Sequence, residues 1–219
     1  MNIEGTRLHP GYLFVLEGID GAGKTTVCDL VEVLLMQQSF DVVRLREPTS
    51  ESPWGREIRE RSPRGELSPA EELDLFIKDR HWHIQNRILP ALESGKVVLM
   101  DRYFFATGAY QCTSTGLPWQ EILRKNREDI DAPEPDIIFI LDISADEGLS
   151  RVFGSRAEKN EQFEQYERLV LVRAAYLEMS EQDLGNYVVV DAKQDLEQVV
   201  EFVYKTIHTY ILEKQETEK

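Results

Sequence analysis

Gly18, Gly23, Lys24 and Thr25 stand at the spacing G-x-x-x-x-G-K-[ST] inside "FVLEGIDGAGKTT", a combination suited to holding polyphosphate. Glycines let a tight backbone turn aim its N–H groups at phosphate oxygens, lysine reaches the β- and γ-phosphates, and the threonine hydroxyl is a ligand for Mg²⁺. The bare pattern arises by chance in on the order of one chain in a hundred. Its place between a strand-like run and a helix-like one argues against a glycine turn that binds nothing. Downstream, "VVLMDR" ends in Asp101 and Arg102. One acid suits a Mg²⁺ shell, and the arginine beside it suits a second anion facing the first; an ion pair capping a strand end is the alternative. Phe76 and Arg80 are four residues apart in a helix-like segment and share a face. Together they offer a plane for stacking a base and a guanidinium for its carbonyl edge, with core packing of Phe76 as the competing reading. There is no N-K-x-D to read guanine and no pair of acids closing an apolar strand. Transfer between two phosphate-bearing ligands therefore fits better than a GTP switch or a motor ATPase.

The elements that must position these groups follow from periodicity. Five apolar runs, "YLFVLEG" (12–18), "DVVRLREP" (41–48), "KVVLMDR" (96–102), "PDIIFILDIS" (135–144) and "NYVVVDA" (186–192), have the composition of strands buried on both faces. Helix-like segments lie between them at 25–38, 69–93, 118–127, 145–181 with a break near "FGSR", and 194–213. Ser68 is placed to cap the second, with Pro69 at its first position and Glu71 and Glu72 in its first turn. This alternation predicts an α/β fold, a parallel sheet covered on both sides with its ligands beyond the carboxyl ends of the strands. The 219 residues suffice for one domain, with the terminal "LEKQETEK" frayed.

Composition bounds the partners. Forty acidic against 25 basic side chains leave a charge of −15, which repels nucleic acid and anionic lipid over a screening distance of about 8–10 Å. An anionic ligand must then be met by a local cluster of Lys and Arg. "MNIEGTRLHPGY" lacks an apolar signal core, and no run approaches the length of a membrane span. The expectation is a cytoplasmic protein that binds neither membrane nor nucleic acid. Cys28 and Cys112 form no C-x-x-C, and His81 and His83 point to different sides of a helix, so neither a disulfide framework nor a zinc site is expected.

"EGIDGAGKTT", "REP" (46–48), "LFIKDR" (75–80), "DRYFFATGAYQ" (101–111) and "VRAAYLEM" (172–179) occur in the order and spacing of thymidylate kinases. The resemblance covers about residues 12–192. It implies a P-loop kinase fold, a three-layer α/β/α arrangement with a five-stranded parallel sheet and a small lid at about 151–165. It also implies phosphorylation of thymidine monophosphate by ATP with Mg²⁺, and a homodimer. The donor would lie on Gly18, Ile19, Asp20, Gly21, Ala22, Gly23, Lys24, Thr25 and Thr26, with Thr25 and Asp101 serving the metal. In the resemblance Phe76 stacks on thymine, Arg80 reaches its carbonyl, and Thr107 touches its polar edge. Arg102 holds the acceptor phosphate with help from Arg59, and Asp20 faces the 3′-hydroxyl. Tyr110 packs beside the sugar and disfavours a 2′-hydroxyl, while Glu47, Pro48 and Gln111 complete the pocket. Relatives whose loop lacks an arginine, as at Gly21 and Ala22, supply cations from the lid; here Arg151 and Arg156 are assigned that role alongside Lys24. Gln162 stands where an arginine is common, and Ala106 where a serine is frequent. A kinase for another deoxynucleotide or a nucleoside, and a weakly catalytic nucleotide-binding regulator, are the alternatives.

Overall fold

The computed structural model describes residues 9–153 and 159–217, with side chains at 9–152 and 164–217. In chain order the elements are β1 (Tyr12–Glu17), α1 (Lys24–Gln37), β2 (Val42–Arg46), α2 (Pro53–Arg61), α3 (Pro69–His83), α4 (Leu89–Glu93), β3 (Val97–Asp101), α5 (Phe104–Thr115), α6 (Trp119–Arg124), β4 (Ile137–Asp142), α7 (Ala145–Phe153), α8 (Lys159–Gln182), β5 (Tyr187–Asp191) and α9 (Leu196–Thr217). The five strands form one parallel sheet in the order β2-β3-β1-β4-β5, as the alternation of elements requires. β1 and β3 are buried along their whole length and β4 up to its last residue. Continuous apolar composition suits strands covered on both faces; burying one such Phe or Leu side chain is worth about 1.5–3 kcal/mol. The edge strands β2 and β5 are only partly buried. The expectation of two-sided burial fails there because each has a neighbouring strand on one side only.

Ser68 caps α3 in a capping box with Glu71, with Pro69 behind it; such a cap is worth about 1 kcal/mol. α3 runs through a π-helical turn (Ile84–Ile88) into α4, so the helix expected over 69–93 is one rod with a local widening. α6 likewise continues in a π-helical turn over Lys125–Asp129. The break expected near "FGSR" lies outside the described residues. α9 continues, exposed, through Thr217, past the point where fraying is expected.

Two helices have no counterpart in the sequence reading. α2, "PWGREIRER", begins at Ser52, whose hydroxyl accepts the Gly55 N–H at 2.8 Å. α5, "FFATGAYQCTST", is rich in poor helix formers. It is held by burial, because Phe104, Phe105 and Ala109 are wholly enclosed. Gly108 lets it approach α8, since a Cβ there would lie 2.8 Å from the Met179 methyl. Among the described residues no helix is long and apolar enough to cross a membrane.

Candidate active site

The two chemistry-bearing motifs meet because β1 and β3 are neighbours with Leu16 opposite Asp101. The loop after β1 and the residues closing β3 therefore emerge side by side at the carboxyl end of the sheet. Gly18, Gly21 and Gly23 all take positive φ, and Gly23 leads into α1. Lys24 Nζ donates to the carbonyls of Gly18 (3.0 Å) and Ile19 (2.8 Å), closing the loop on itself. Burial, with Arg102 nearby, pushes the Lys24 ammonium down to about 7, against the pull of Asp20, Asp101 and Glu17. A cavity of about 150 Å³ opens here, bounded by Asp20, Gly21, Gly23, Lys24, Thr25, Thr26, Arg46, Asp101 and Arg102. At its edge the Thr25 hydroxyl donates to Asp101 Oδ2 at 2.6 Å. A hydroxyl and a carboxylate facing one another are the oxygen donors a hard cation takes. No cluster of three or more His, Cys, Asp or Glu forms a metal cage among the described residues. The fit is thus to Mg²⁺ held by few protein oxygens, with water and phosphate completing the shell.

Gly21 cannot be replaced by an arginine without moving α7. A Cβ at Gly21 would lie 2.3 Å from the Gly148 carbonyl oxygen, and φ there is +81°. Ala22 is buried. Arg151, on α7, donates to the Gly21 carbonyl (3.4 Å) and the Ala192 carbonyl (3.0 Å) and so sits against the loop. Arg156 and Gln162 fall outside the residues whose side chains are described.

Arg102 pairs not with its neighbour Asp101 but with Asp20, Nη2 to Oδ1 at 2.5 Å, which replaces the simple strand-end pair considered from sequence. Its backbone takes φ +71° while its N–H donates to the Leu16 carbonyl at 3.0 Å. A non-glycine residue held in this conformation at a strand-to-helix turn is a strain concentrated where function needs an aimed side chain. Burial alone would raise the Asp20 carboxyl, but Arg102 and then Lys24 bring it below the usual range.

Beyond this pair lies a cavity of about 240 Å³ whose lining includes Asp20, Glu47, Pro48, Phe76, Arg80, Arg102, Thr107, Tyr110 and Gln111. Phe76 is half-buried at the cavity wall and outside the enclosed core. Arg80 is buried and held on three sides: Nε donates to Glu47 (2.8 Å), Nη1 to Asn126 (2.7 Å) and Nη2 to Thr107 (2.9 Å). The other Glu47 oxygen meets His83 Nδ1 at 3.0 Å, while His81 is exposed, so the two histidines do diverge. Gln111 donates to Glu72 at 3.2 Å. Arg59 does not line this cavity; it donates to the Thr49 carbonyl (3.2 Å) and to the Pro48 carbonyl, bracing the segment beneath it.

Sequence reasoning missed four contributors. Glu17 closes β1 and is wholly buried. It accepts from the N–H groups of Tyr103 (2.7 Å) and Ala106 (3.2 Å) and from the Tyr176 hydroxyl (2.9 Å), tying the start of α5 and α8 to the phosphate loop. Burial, outweighing the pull of Arg102, pushes its carboxyl up to about 7. An acid inside "FVLEG" is a signal the sequence did carry. Arg46 borders the small cavity 3.6 Å from Asp101, and "REP" contained it. Arg168 and Glu72 line the larger cavity, and nothing in their local sequence distinguishes them from solvated helix residues.

A family model described as thymidylate kinase matches residues 16–203. A protein named probable thymidylate kinase from Archaeoglobus fulgidus is 41% identical over 91% of this chain and 96% of its own length. A thymidylate kinase from Xanthomonas euvesicatoria pv. vesicatoria is 39% identical over 87% of this chain and 80% of its own. One from Xanthomonas campestris pv. campestris is 38% identical over the same shares.

Proposed function

This chain belongs to the thymidylate kinase family, and we propose that it transfers the terminal phosphoryl group of ATP to thymidine monophosphate, yielding ADP and thymidine diphosphate. The observation that carries the reading is one cavity lined by Phe76, Arg80 and Thr107 together with Arg102 and Asp20, the last two of which also line the cavity at the phosphate loop. The base stacks on Phe76, its polar edge meets Arg80 and Thr107, and the acceptor phosphate meets Arg102. Tyr110 lies beside the sugar.

Phosphoryl transfer asks the protein mainly for in-line positioning and charge neutralisation. The loop from Gly18 to Thr26 orients the donor, and Lys24 turns from the Gly18 and Ile19 carbonyls to the donor's outer phosphates. Arg151 approaches from α7, and Arg156 is assigned to the same task. Asp20 holds Arg102 in place at the junction of the two cavities. Thr25 and Asp101 would hold Mg²⁺, which would supply neutralisation of the donor's charge. Arg59, held on the Thr49 and Pro48 carbonyls, is assigned to help Arg102 with the acceptor phosphate. The reading extends to one kinase domain with a lid at about 151–165, a homodimer and a cytoplasmic setting.

Purified protein incubated with ATP, Mg²⁺ and a panel of nucleoside monophosphates tests it. The expected result is ADP formation fastest with thymidine monophosphate and poor use of UMP. Efficient UMP phosphorylation sinks the assignment of Tyr110, and tight ATP binding without transfer to any acceptor makes the chain a regulator instead.

A further inference from the structure

Among the described residues Arg168, on α8, makes no direct ion pair with a carboxylate. Several exposed or half-exposed arginines of this acidic chain find a carboxylate: Arg61 at Glu57, Arg87 at Glu51, Arg124 at Glu121 and Glu128, Arg173 at Asp142. Glu164 lies one turn before Arg168 on the same helix, in the register that favours pairing, and Glu167 is adjacent. Among the described residues Arg168 makes an ion pair with neither. Its guanidinium instead lies 5.6 Å from the centre of the Tyr110 ring, the ring that Arg102 also covers at 5.1 Å.

Tyr110 marks a junction. A cavity of about 210 Å³ between α7 and α8 shares Asp20, Tyr110 and Arg168 with the acceptor cavity, so Arg168 faces both. The Arg102 charge is answered by Asp20 in direct contact, and Arg168 feels Asp20 only at longer range. An exposed cation resting on an aromatic face is weakly held. A bidentate bond from the same guanidinium to a phosphate is stronger and geometrically matched. The ring therefore keeps Arg168 near the acceptor's phosphate end without committing it.

Resting on the acceptor reading above, we propose that Arg168 is a second phosphate-contacting residue of the acceptor site, acting with Arg102 on the 5′-phosphate of the monophosphate. It adds a cation from α8 to the acceptor phosphate that Arg102 meets from the end of β3.

The test compares Arg168→Gln and Arg168→Lys with wild type, using the monophosphate that the panel selects and its parent nucleoside, which lacks the phosphate. Arg168→Gln is expected to raise the acceptor KM about tenfold, to leave nucleoside binding by calorimetry within twofold, and to leave the ATP KM unchanged. Arg168→Lys is expected to recover part of the loss. An acceptor KM within twofold of wild type overturns the proposal. So does equal weakening of nucleoside and nucleotide, which would mean that Arg168 acts through Tyr110 on the sugar, and so does a change confined to the ATP KM. Thermal melting of the exposed-site variant shows that the fold is kept. Wild type that phosphorylates no monophosphate overturns the acceptor reading and this inference together, whereas active wild type with an unaffected Arg168→Gln variant overturns this inference alone.

Discussion

Gly148→Ala is expected to damage phosphate transfer from a position that touches no ligand. Gly148 sits in the first turns of α7, and a Cβ built there lies 2.5 Å from the Asp20 carbonyl oxygen and 3.1 Å from Ile19 Cδ1. The first distance falls about 0.9 Å short of ordinary contact. Neither side yields easily. α7 is pinned at its start, where the Ser144 hydroxyl and N–H both donate to Glu147 at 2.8 and 3.2 Å. The loop is pinned by Lys24 through the Ile19 carbonyl. The displacement falls on the Ile19–Asp20 backbone, which shapes the phosphate cradle and aims the Asp20 carboxylate at Arg102. A misplacement near 1 Å costs on the order of 100-fold in rate. Steady-state kinetics with ATP varied and the acceptor saturating should therefore show kcat/KM for ATP reduced about 10- to 100-fold. The melting temperature supplies a control of opposite sign. Glycine to alanine within a helix that accommodates the methyl stabilises by about 0.5–1 kcal/mol. A variant that melts higher than wild type and keeps kcat/KM within twofold would refute the claim that α7 presses on the loop.

Phe76→Ala should raise the acceptor KM about 5- to 150-fold, from the 1–3 kcal/mol that stacking a base contributes; an unchanged KM in acceptor-varied kinetics returns Phe76 to a packing role. Lys24→Met should lower kcat by about a hundredfold or more with an unaltered circular dichroism spectrum, and normal turnover would contradict its placement. Glu17 has a folded carboxyl raised from 4.5 to about 7. The native state therefore keeps a proton that the unfolded chain has lost. Its contribution to stability is fully present below about 4.5 and is lost as pH rises to about 7. Denaturant titrations of wild type and Glu17→Gln should show wild type losing stability relative to the variant across that window, and parallel curves would remove Glu17 as the cause. Magnesium removal by EDTA should abolish transfer while leaving thermal unfolding little changed, because the described residues form no protein cage around the ion; a large drop in melting temperature would show otherwise.

The parallel sheet was legible because its three central strands are apolar runs of Val, Ile, Leu and Phe with no polar alternation, and α3 because Ser68, Pro69 and Glu71 mark its start. α2 and α5 were not legible. Their sequences, "PWGREIRER" and "FFATGAYQCTST", carry Gly, Pro and β-branched residues that oppose helix formation locally, and only capping by Ser52 and burial of Phe104 and Phe105 overcome that preference. The two-faced burial expected of every strand failed at β2 and β5 because position at an edge is a property of strand order, which no single run reports.

At the site, the loop from Gly18 to Thr26 was legible in the sequence, since a local turn followed by a helix needs little beyond its own residues, whereas the contact of Thr25 with Asp101 exists only because β1 and β3 are neighbours. Phe76 and Arg80 were legible too, since their shared face follows from helical spacing. Tertiary structure alone decided which acid Arg102 pairs with, because Asp20 becomes its neighbour only when β1 and β3 lie side by side. It decided that Arg59 braces Pro48, that Glu17 joins β1 to α5 and α8, and that Gly21 must remain a glycine because α7 lies against it. These depend on distances between segments far apart in the chain, and such distances exist only once the hydrophobic sheet has brought the segments together.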